Sequence, residues 1–220
     1  MSEAFINTAF LALSGGLQDA YTYNVRDQVF SNAQTGNVVL MSQFLMSGQW
    51  GHILRYLFPL ISFALGVWVT ESIQGHFRDA KKMHWRQGIL LAEIVILFIV
   101  GFIPGSLNMV ATALVSFTCA MQVQAFRKVN GYAYASTMCI GNLRGGTAAL
   151  SSFFRRHRKE DLKKAGYYFG VIFFFAVGAG LGGNLSLRYG YHVIWLSCAL
   201  LFISFVLMYF ERFRFHDHLL

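Results

Sequence analysis

Long apolar stretches separated by short polar breaks set the pattern of this chain. A bilayer core about 30 Å thick is crossed by a helix of about 20 residues. By that measure six stretches qualify as full spans, near 4–24, 54–75, 87–105, 107–128, 165–187 and 191–211. Two further apolar stretches, about 36–48 and 141–154, are too short. A dozen helical residues rise about 18 Å, roughly half of the core. Each short stretch follows a polar break that contains glycine. The first is Ser31-Asn32-Ala33-Gln34-Thr35-Gly36-Asn37 and the second is Ser136-Thr137-Met138-Cys139-Ile140-Gly141-Asn142.

The two breaks are 105 residues apart, and that shift pairs Ser31 with Ser136, Gly36 with Gly141 and Asn37 with Asn142. It also pairs Ala20-Tyr21 with Ala125-Phe126, and Asp19 with Gln124. A further shift of seven brings Phe63-Ala64-Leu65-Gly66 onto Phe175-Ala176-Val177-Gly178. Each copy reads long helix, break, short helix, long helix, long helix. The expected fold is therefore an all-α integral membrane protein with six full transmembrane helices and two short re-entrant half-helices. Residues 1–106 form the first repeat and 107–220 the second. Three full spans per copy is an odd number, so the copies are inverted, a recurrent plan of secondary transporters.

Charge placement supports this count. The linker 76–86 carries Arg78, Lys81, Lys82 and Arg86, and the linker 155–164 carries Arg155, Arg156, Arg158, Lys159, Lys163 and Lys164. Both belong on the cytoplasmic side. An even number of crossings must then lie between them, so 141–154 enters and returns rather than adding a third. The same logic places both termini in the cytoplasm.

Composition agrees with a membrane class. The chain has 220 residues, 55% hydrophobic and only 13% charged, whereas an average soluble domain is about a quarter charged. The net charge of +8 sits in the two linkers and the tail, so it reads as positive-inside orientation and argues against nucleic acid as a partner. Cys119, Cys139 and Cys198 lie in apolar surroundings with no C-x-x-C spacing, which argues against a disulfide framework. No hydrolase or P-loop motif and no metal or cofactor signature occurs, so an enzyme is not expected and no cofactor is required.

Candidate chemistry gathers at the breaks. Backbone there cannot face lipid unpaired, so it is buried in protein or lines a wet cavity. Gly36 opens a half-helix whose free N–H groups and positive end suit an anionic or carbonyl-rich solute. The candidate substrate-binding set is Asp19, Ser31, Asn32, Gln34, Thr35, Gly36, Asn37, Gln122, Gln124, Ser136, Thr137, Gly141 and Asn142. The bland reading of Ser31, Thr35 and Asn37 is that they cap a short helix. Asp19 is an acid within a span, a type that usually faces a cavity or a partner. It could bind a coupling proton or cation, or pair with Arg26 or Arg127. Glu93 is a second coupling candidate. Gly166, Gly170, Gly178 and Gly182 recur at small-xxx-small spacing, a face for helix packing inside one chain or across a homodimer.

Three stretches carry a resemblance to a known group. They are Gly15-Gly16-Leu17-Gln18-Asp19-Ala20, Phe30 to Asn37, and Met121-Gln122-Val123-Gln124-Ala125-Phe126-Arg127. With them the chain resembles the YoaK-like family, bacterial membrane proteins of about this length grouped under a domain of unknown function. The resemblance spans essentially the whole chain, and Thr-Gly-Asn with the upstream Asp is its most specific part. The second copy in that family usually reads Thr-Gly-Thr, where this chain has Ile140-Gly141-Asn142. The resemblance implies a multi-pass protein of the bacterial cytoplasmic (inner) membrane and brings no substrate.

The expectation is a transporter or channel for a small solute, an anion or carboxylate being one candidate, with its site between the two breaks. Two other readings stand beside it: a non-transporting membrane component that assembles with a partner, and an intramembrane enzyme. The expected partners are the lipid bilayer and a small-molecule or ion substrate.

Overall fold

The structure is a computed structural model that describes residues 4–77 and 85–216, with no side-chain description for Phe77 and 211–216. Arg78, Lys81 and Lys82 of the first basic linker fall outside it. The chain folds into eight α-helices among the described residues: α1 (Phe5–Val25), α2 (Gln34–Met46), α3 (Ile53–Phe77), α4 (Trp85–Val100), α5 (Asn108–Ala125), α6 (Cys139–Arg156), α7 (Lys159–Tyr189) and α8 (Ile194–His216). Three helical stretches are long and apolar enough to cross a membrane: Trp50–His76, Gly105–Ala125 and Lys159–Phe210. The last comprises α7 and α8, joined through the 3-10 turn Gly190–Val193.

α1 is long, but Ser14, Gly15, Gly16, Gln18 and Asp19 lower its hydropathy, and all five are buried. α4 is short, with 16 residues. The first break is a turn leading into α2, whose 13 residues rise about 20 Å, as its apolar run predicts. α6 differs. It has 18 residues and rises about 27 Å, because Cys139-Ile140 and Arg155-Arg156 continue a helix whose apolar run alone marks only 141–154. Arg144 is exposed on it.

The fourth apolar stretch ends three residues earlier than its hydropathy suggests, at Ala125. A hairpin of β1 (Lys128–Val129) and β2 (Tyr132–Ala133) follows, with Lys128 opposite Ala133. Asn130 and Gly131 both have positive φ, 45° and 85°, the signature of the type I′ turn for which Asn-Gly is the preferred pair.

The helices pack in matching pairs. α1 lies against α7 and α5 against α3; α2 lies against α3 and α6 against α7; α4 lies against α5 and α8 against α1; α4 and α8 pack on each other. Glycines permit close backbone approach in two of these pairs. A Cβ on Gly66 of α3 would lie 2.4 Å from the Phe117 carbonyl oxygen of α5, and one on Gly178 of α7 would lie 2.0 Å from the Leu13 carbonyl oxygen of α1. Gly182 also packs against α1, at Leu17, and Gly170 against Phe5, while Gly166 faces open space. Three of the four glycines at small-xxx-small spacing thus serve packing within the chain.

One junction lies at the polar end of the molecule. His157 closes α6 in the left-handed conformation at φ 51°, and Asp161 accepts hydrogen bonds from Ser152 at 2.9 Å and Arg158 at 3.3 Å. The Ser152 hydroxyl, helped by the charge of Arg158, holds the Asp161 carboxyl below its ordinary range.

Candidate functional site

α1 ends where Arg26 and two successive left-handed residues, Asp27 at φ 62° and Gln28 at φ 57°, turn the chain back. Left-handed backbone costs a non-glycine residue of order 1–3 kcal/mol, and the turn is held by Asn108, whose amide donates to Asp27 Oδ1 at 3.0 Å. The returning segment enters the protein, and Ser31 and Asn32 become buried beside α1.

Each break is closed by the same device. Asn37 donates through Nδ2 to the Phe30 carbonyl at 2.7 Å and accepts the Phe30 N–H at 3.3 Å. Asn142 does likewise with Ala135, at 2.7 Å and 3.4 Å. A carboxamide offers one donor side and one acceptor side, so it satisfies both the N–H and the C=O of one residue seven positions back. Asn37 also donates to Gln34 Oε1 at 2.9 Å. These two asparagines shape the breaks, and their hydrogen-bonding capacity is largely spent on backbone.

Within the first break the free backbone groups find partners on α1 and α5. Asp19 Oδ1 accepts the Asn32 backbone N–H at 2.7 Å and the Ser31 hydroxyl at 3.2 Å. Asn32 donates through its side chain to the Gly15 carbonyl at 3.0 Å. The Ser31 carbonyl accepts from Gln34 at 2.8 Å and from Ser116 at 3.0 Å. In the second break Ser136 accepts from Gln122 at 2.8 Å, and Gln122 also donates to the Leu11 carbonyl at 3.2 Å. The methyl of Thr137 lies so close to Gly15 that a Cβ there would sit 2.5 Å from it.

Asn32 and Thr137 therefore both pack on Gly15 of α1, and they are equivalent positions 105 residues apart. Both are buried, and Asn32 Oδ1 and Thr137 Oγ1 have no hydrogen-bond partner. Gln122 Oε1, one turn along α1, is unpaired as well.

The network continues toward α4 and α8. Gln18 Nε2 lies within hydrogen-bond distance of Ser14 at 2.9 Å, Ser197 at 3.0 Å and Glu93 Oε1 at 3.3 Å. Its Oε1 accepts from the Cys119 thiol at 2.7 Å, and Cys119 lies 3.8 Å from the Ser31 hydroxyl. Glu93 is fully buried, and its Oε2 is unpaired. Two carboxyls, Asp19 and Glu93, are thus linked by Ser31, Cys119 and Gln18.

Of the residues singled out from sequence, Asp19, Ser31, Asn32, Gln34, Gln122, Ser136 and Thr137 come together, and Glu93 joins them through Gln18. Thr35 and Gly141 are exposed, and Gly36 lies half-buried against the Phe30 ring. Gln124 points elsewhere. It bonds to Glu71, which pairs with Arg127 at 3.2 Å, while Arg127 also reaches Gln74 at 3.1 Å. Two residues along a helix turn a side chain through about 200°, so Gln122 and Gln124 lie on opposite faces of α5 and cannot share a site.

Neither arginine considered as a partner for Asp19 reaches it. Arg26 is fully buried, donating to Tyr21 at 3.0 Å, the Val100 carbonyl at 3.0 Å and Asn108 at 2.9 Å. Its guanidinium also lies 4.0 Å from the centre of the Tyr191 ring. Beside it a cleft of about 680 Å³ opens, lined by Asn24, Asp27, Gln28, Arg55 and Ser186 among others.

Ser14, Ser116 and Ser197 complete the network but do not stand out in the sequence. Ser14 lies one helical turn from Gln18, and Ser116 lies one turn from Cys119, a same-face spacing that carries a weak signal. Ser197 carries none, since only tertiary packing of α8 on α1 brings it to Gln18.

The comparisons with known proteins agree with a helical membrane protein. The chain is 25% identical over 215 residues to the UPF0700 transmembrane protein YoaK of Bacillus subtilis (strain 168), covering 91% of this chain and 93% of that protein. No solved structure matches it. Residues 8–207 match the model of a family described as a protein of unknown function, DUF1275, and with nearly the whole chain covered the protein belongs to that family.

Proposed function

We propose that this protein is a transporter or channel for a small solute in the bacterial cytoplasmic membrane. Its site would lie where Asn32 and Thr137 meet across Gly15. The observation that carries the reading is the set of unpaired oxygens there, on Asn32, Thr137 and Gln122. A buried polar atom without a partner costs about 1–3 kcal/mol, and equivalent residues of both breaks bear that cost at one place. A guest that supplies the missing partners accounts for it.

The architecture fits this reading. Matching helix pairs, twin asparagine clamps seven residues deep and glycine contacts 112 residues apart support two copies of one unit. Copies of three spans each insert in opposite senses, so α2 and α6 would act as the re-entrant half-helices of an inverted repeat. Discontinuous helices meeting at the repeat interface are where such proteins bind solute. The cleft beside Arg26 would serve as a vestibule on the face away from the basic linkers. A homodimer would use faces other than the α1–α7 glycine contact, which is filled from within.

Single cysteines at positions 32 and 137, in a background lacking Cys119, Cys139 and Cys198, test the reading. In oriented membrane vesicles a small charged thiol reagent is expected to label both positions, one from each side. Absence of labelling at both would mark the contact as sealed and leave the partner-assembly reading in its place.

A further inference from the structure

The half-helix ends invite an anion, but at α2 the chain fills that place itself. Asp19 Oδ1 takes the Asn32 N–H at 2.7 Å and the Ser31 hydroxyl at 3.2 Å, just ahead of Ala33, which caps α2. The roughly half-unit positive charge of a helix end is thus more than met by the full charge of the Asp19 carboxylate.

Two of the unpaired atoms can act only as acceptors. Asn32 Oδ1 and Gln122 Oε1 are amide oxygens, which only accept. Each amide's orientation is fixed by a carbonyl that its nitrogen must face, Gly15 O for Asn32 and Leu11 O for Gln122. Thr137 Oγ1 and, beyond Gln18, Glu93 Oε2 complete the set of oxygens.

Among the described residues no basic side chain balances the charge that remains. The hydrogen bonds that tie together Ser14, Gln18, Asp19, Ser31, Glu93, Cys119 and Ser197 include no lysine or arginine. Arg26 is turned to tyrosines and carbonyls instead. Buried carboxyls set among acceptors without a cation are electrostatically incomplete.

A divalent ion fits poorly. Calcium draws on six to eight oxygens and magnesium on a near-ideal octahedron that keeps several waters, and among the described residues no three of His, Cys, Asp and Glu gather as a metal-binding group. We infer that the contact between the two breaks takes a monovalent cation, an alkali-metal ion or a protonated small amine. Asp19 supplies the charge, and Asn32 and Thr137 the neutral oxygens. This deepens the solute-site reading above and rests on the same contact.

The test is thermal unfolding of the full-length protein in detergent at constant ionic strength. N-methyl-D-glucamine chloride is replaced stepwise by sodium, potassium or methylammonium chloride, and in a parallel series chloride is replaced by acetate. One of the cations is expected to raise the midpoint saturably, with acetate silent, and which cation acts separates the metal ion from the amine.

Asp19→Asn is expected to abolish the response, but it also weakens the hold on Ser31 and Asn32 ahead of α2. Thr137→Val is the cleaner variant, since it deletes an oxygen that bonds to nothing else. It is expected to fold normally and to raise the half-saturating cation concentration about tenfold. A midpoint indifferent to all three cations overturns the inference, as does a saturable response to acetate. Either result leaves the labelling at positions 32 and 137 to decide the solute site on its own.

Discussion

The α1–α7 contact offers a prediction in which neighbouring glycines respond with opposite sign. A Cβ on Gly16 would lie 2.0 Å from the Phe175 carbonyl oxygen, and one on Gly178 would lie 2.0 Å from the Leu13 carbonyl oxygen. Real Cβ atoms are essentially never found under 3.0 Å, so Gly16→Ala or Gly178→Ala must part the helices by about 1 Å. The opposing atoms are helix backbone, which has no rotamer to change. Overpacking of this kind costs about 1–3 kcal/mol, and the upper end applies here. Replacing a helical glycine by alanine returns roughly 0.5–1 kcal/mol. The net loss is about 2 kcal/mol, a fall of about 4–8 °C in midpoint for a chain of this size. Gly180 and Gly166 have nothing within 4 Å of the added carbon, so alanine there keeps only the gain, a rise of about 1–4 °C. Thermal unfolding in mild detergent, followed by helical circular dichroism, reads all four variants. If Gly178→Ala unfolds at or above the midpoint of Gly180→Ala, the close backbone approach of α1 and α7 is wrong.

The asparagine clamps make a second prediction. Asn37→Ala and Asn142→Ala each remove the side-chain partner of the N–H and C=O of a half-buried residue, Phe30 or Ala135, at a cost of about 0.5–1.5 kcal/mol for each bond. Asn37→Ala is expected to cost more, because Asn37 alone also holds Gln34; equal midpoints would contradict that ordering. A third concerns thiols. Cys119 and Cys198 are buried and Cys139 is half-buried at the start of α6, so maleimide applied to the folded protein is expected to modify Cys139 first, and early loss of Cys119 in peptide mapping would refute the packing around it. A fourth concerns acid. Asp161 has a lowered value in the folded chain, so its link between α6 and α7 is complete at neutral pH and is lost as pH falls through that value. Asp161→Asn is expected to flatten the acid limb of a stability profile, and an unchanged limb would count against the link.

Much of the framework follows from sequence because its causes are local. Apolar runs long enough for a bilayer, basic linkers and glycine-containing breaks are statements about composition within a window, and α2, α3 and α5 appear close to where those windows put them. The Asn-Gly pair at 130–131 states a hairpin turn equally plainly, although the apolar run hides it by continuing to Lys128. The 105-residue shift in sequence also carried the pairing of Asn37 with Asn142, whose clamps then have the same geometry.

What the chain alone could not decide is which polar side chains share a face after helices from distant parts of it pack. Gln122 and Gln124 look alike in sequence, yet one is buried against Ser136 and the other lies with Glu71 and Arg127. Asp19 reads as free to meet a solute or an arginine, and only the returning segment turns its Oδ1 onto the end of α2. Ser197 enters the network from 179 residues beyond Gln18, a separation across which no local pattern operates. Helix formation is fixed by neighbours in sequence, whereas a buried polar site is fixed by where non-local backbones can approach. Here that is set at Gly15, whose carbonyl holds Asn32 and whose missing side chain leaves room for Thr137.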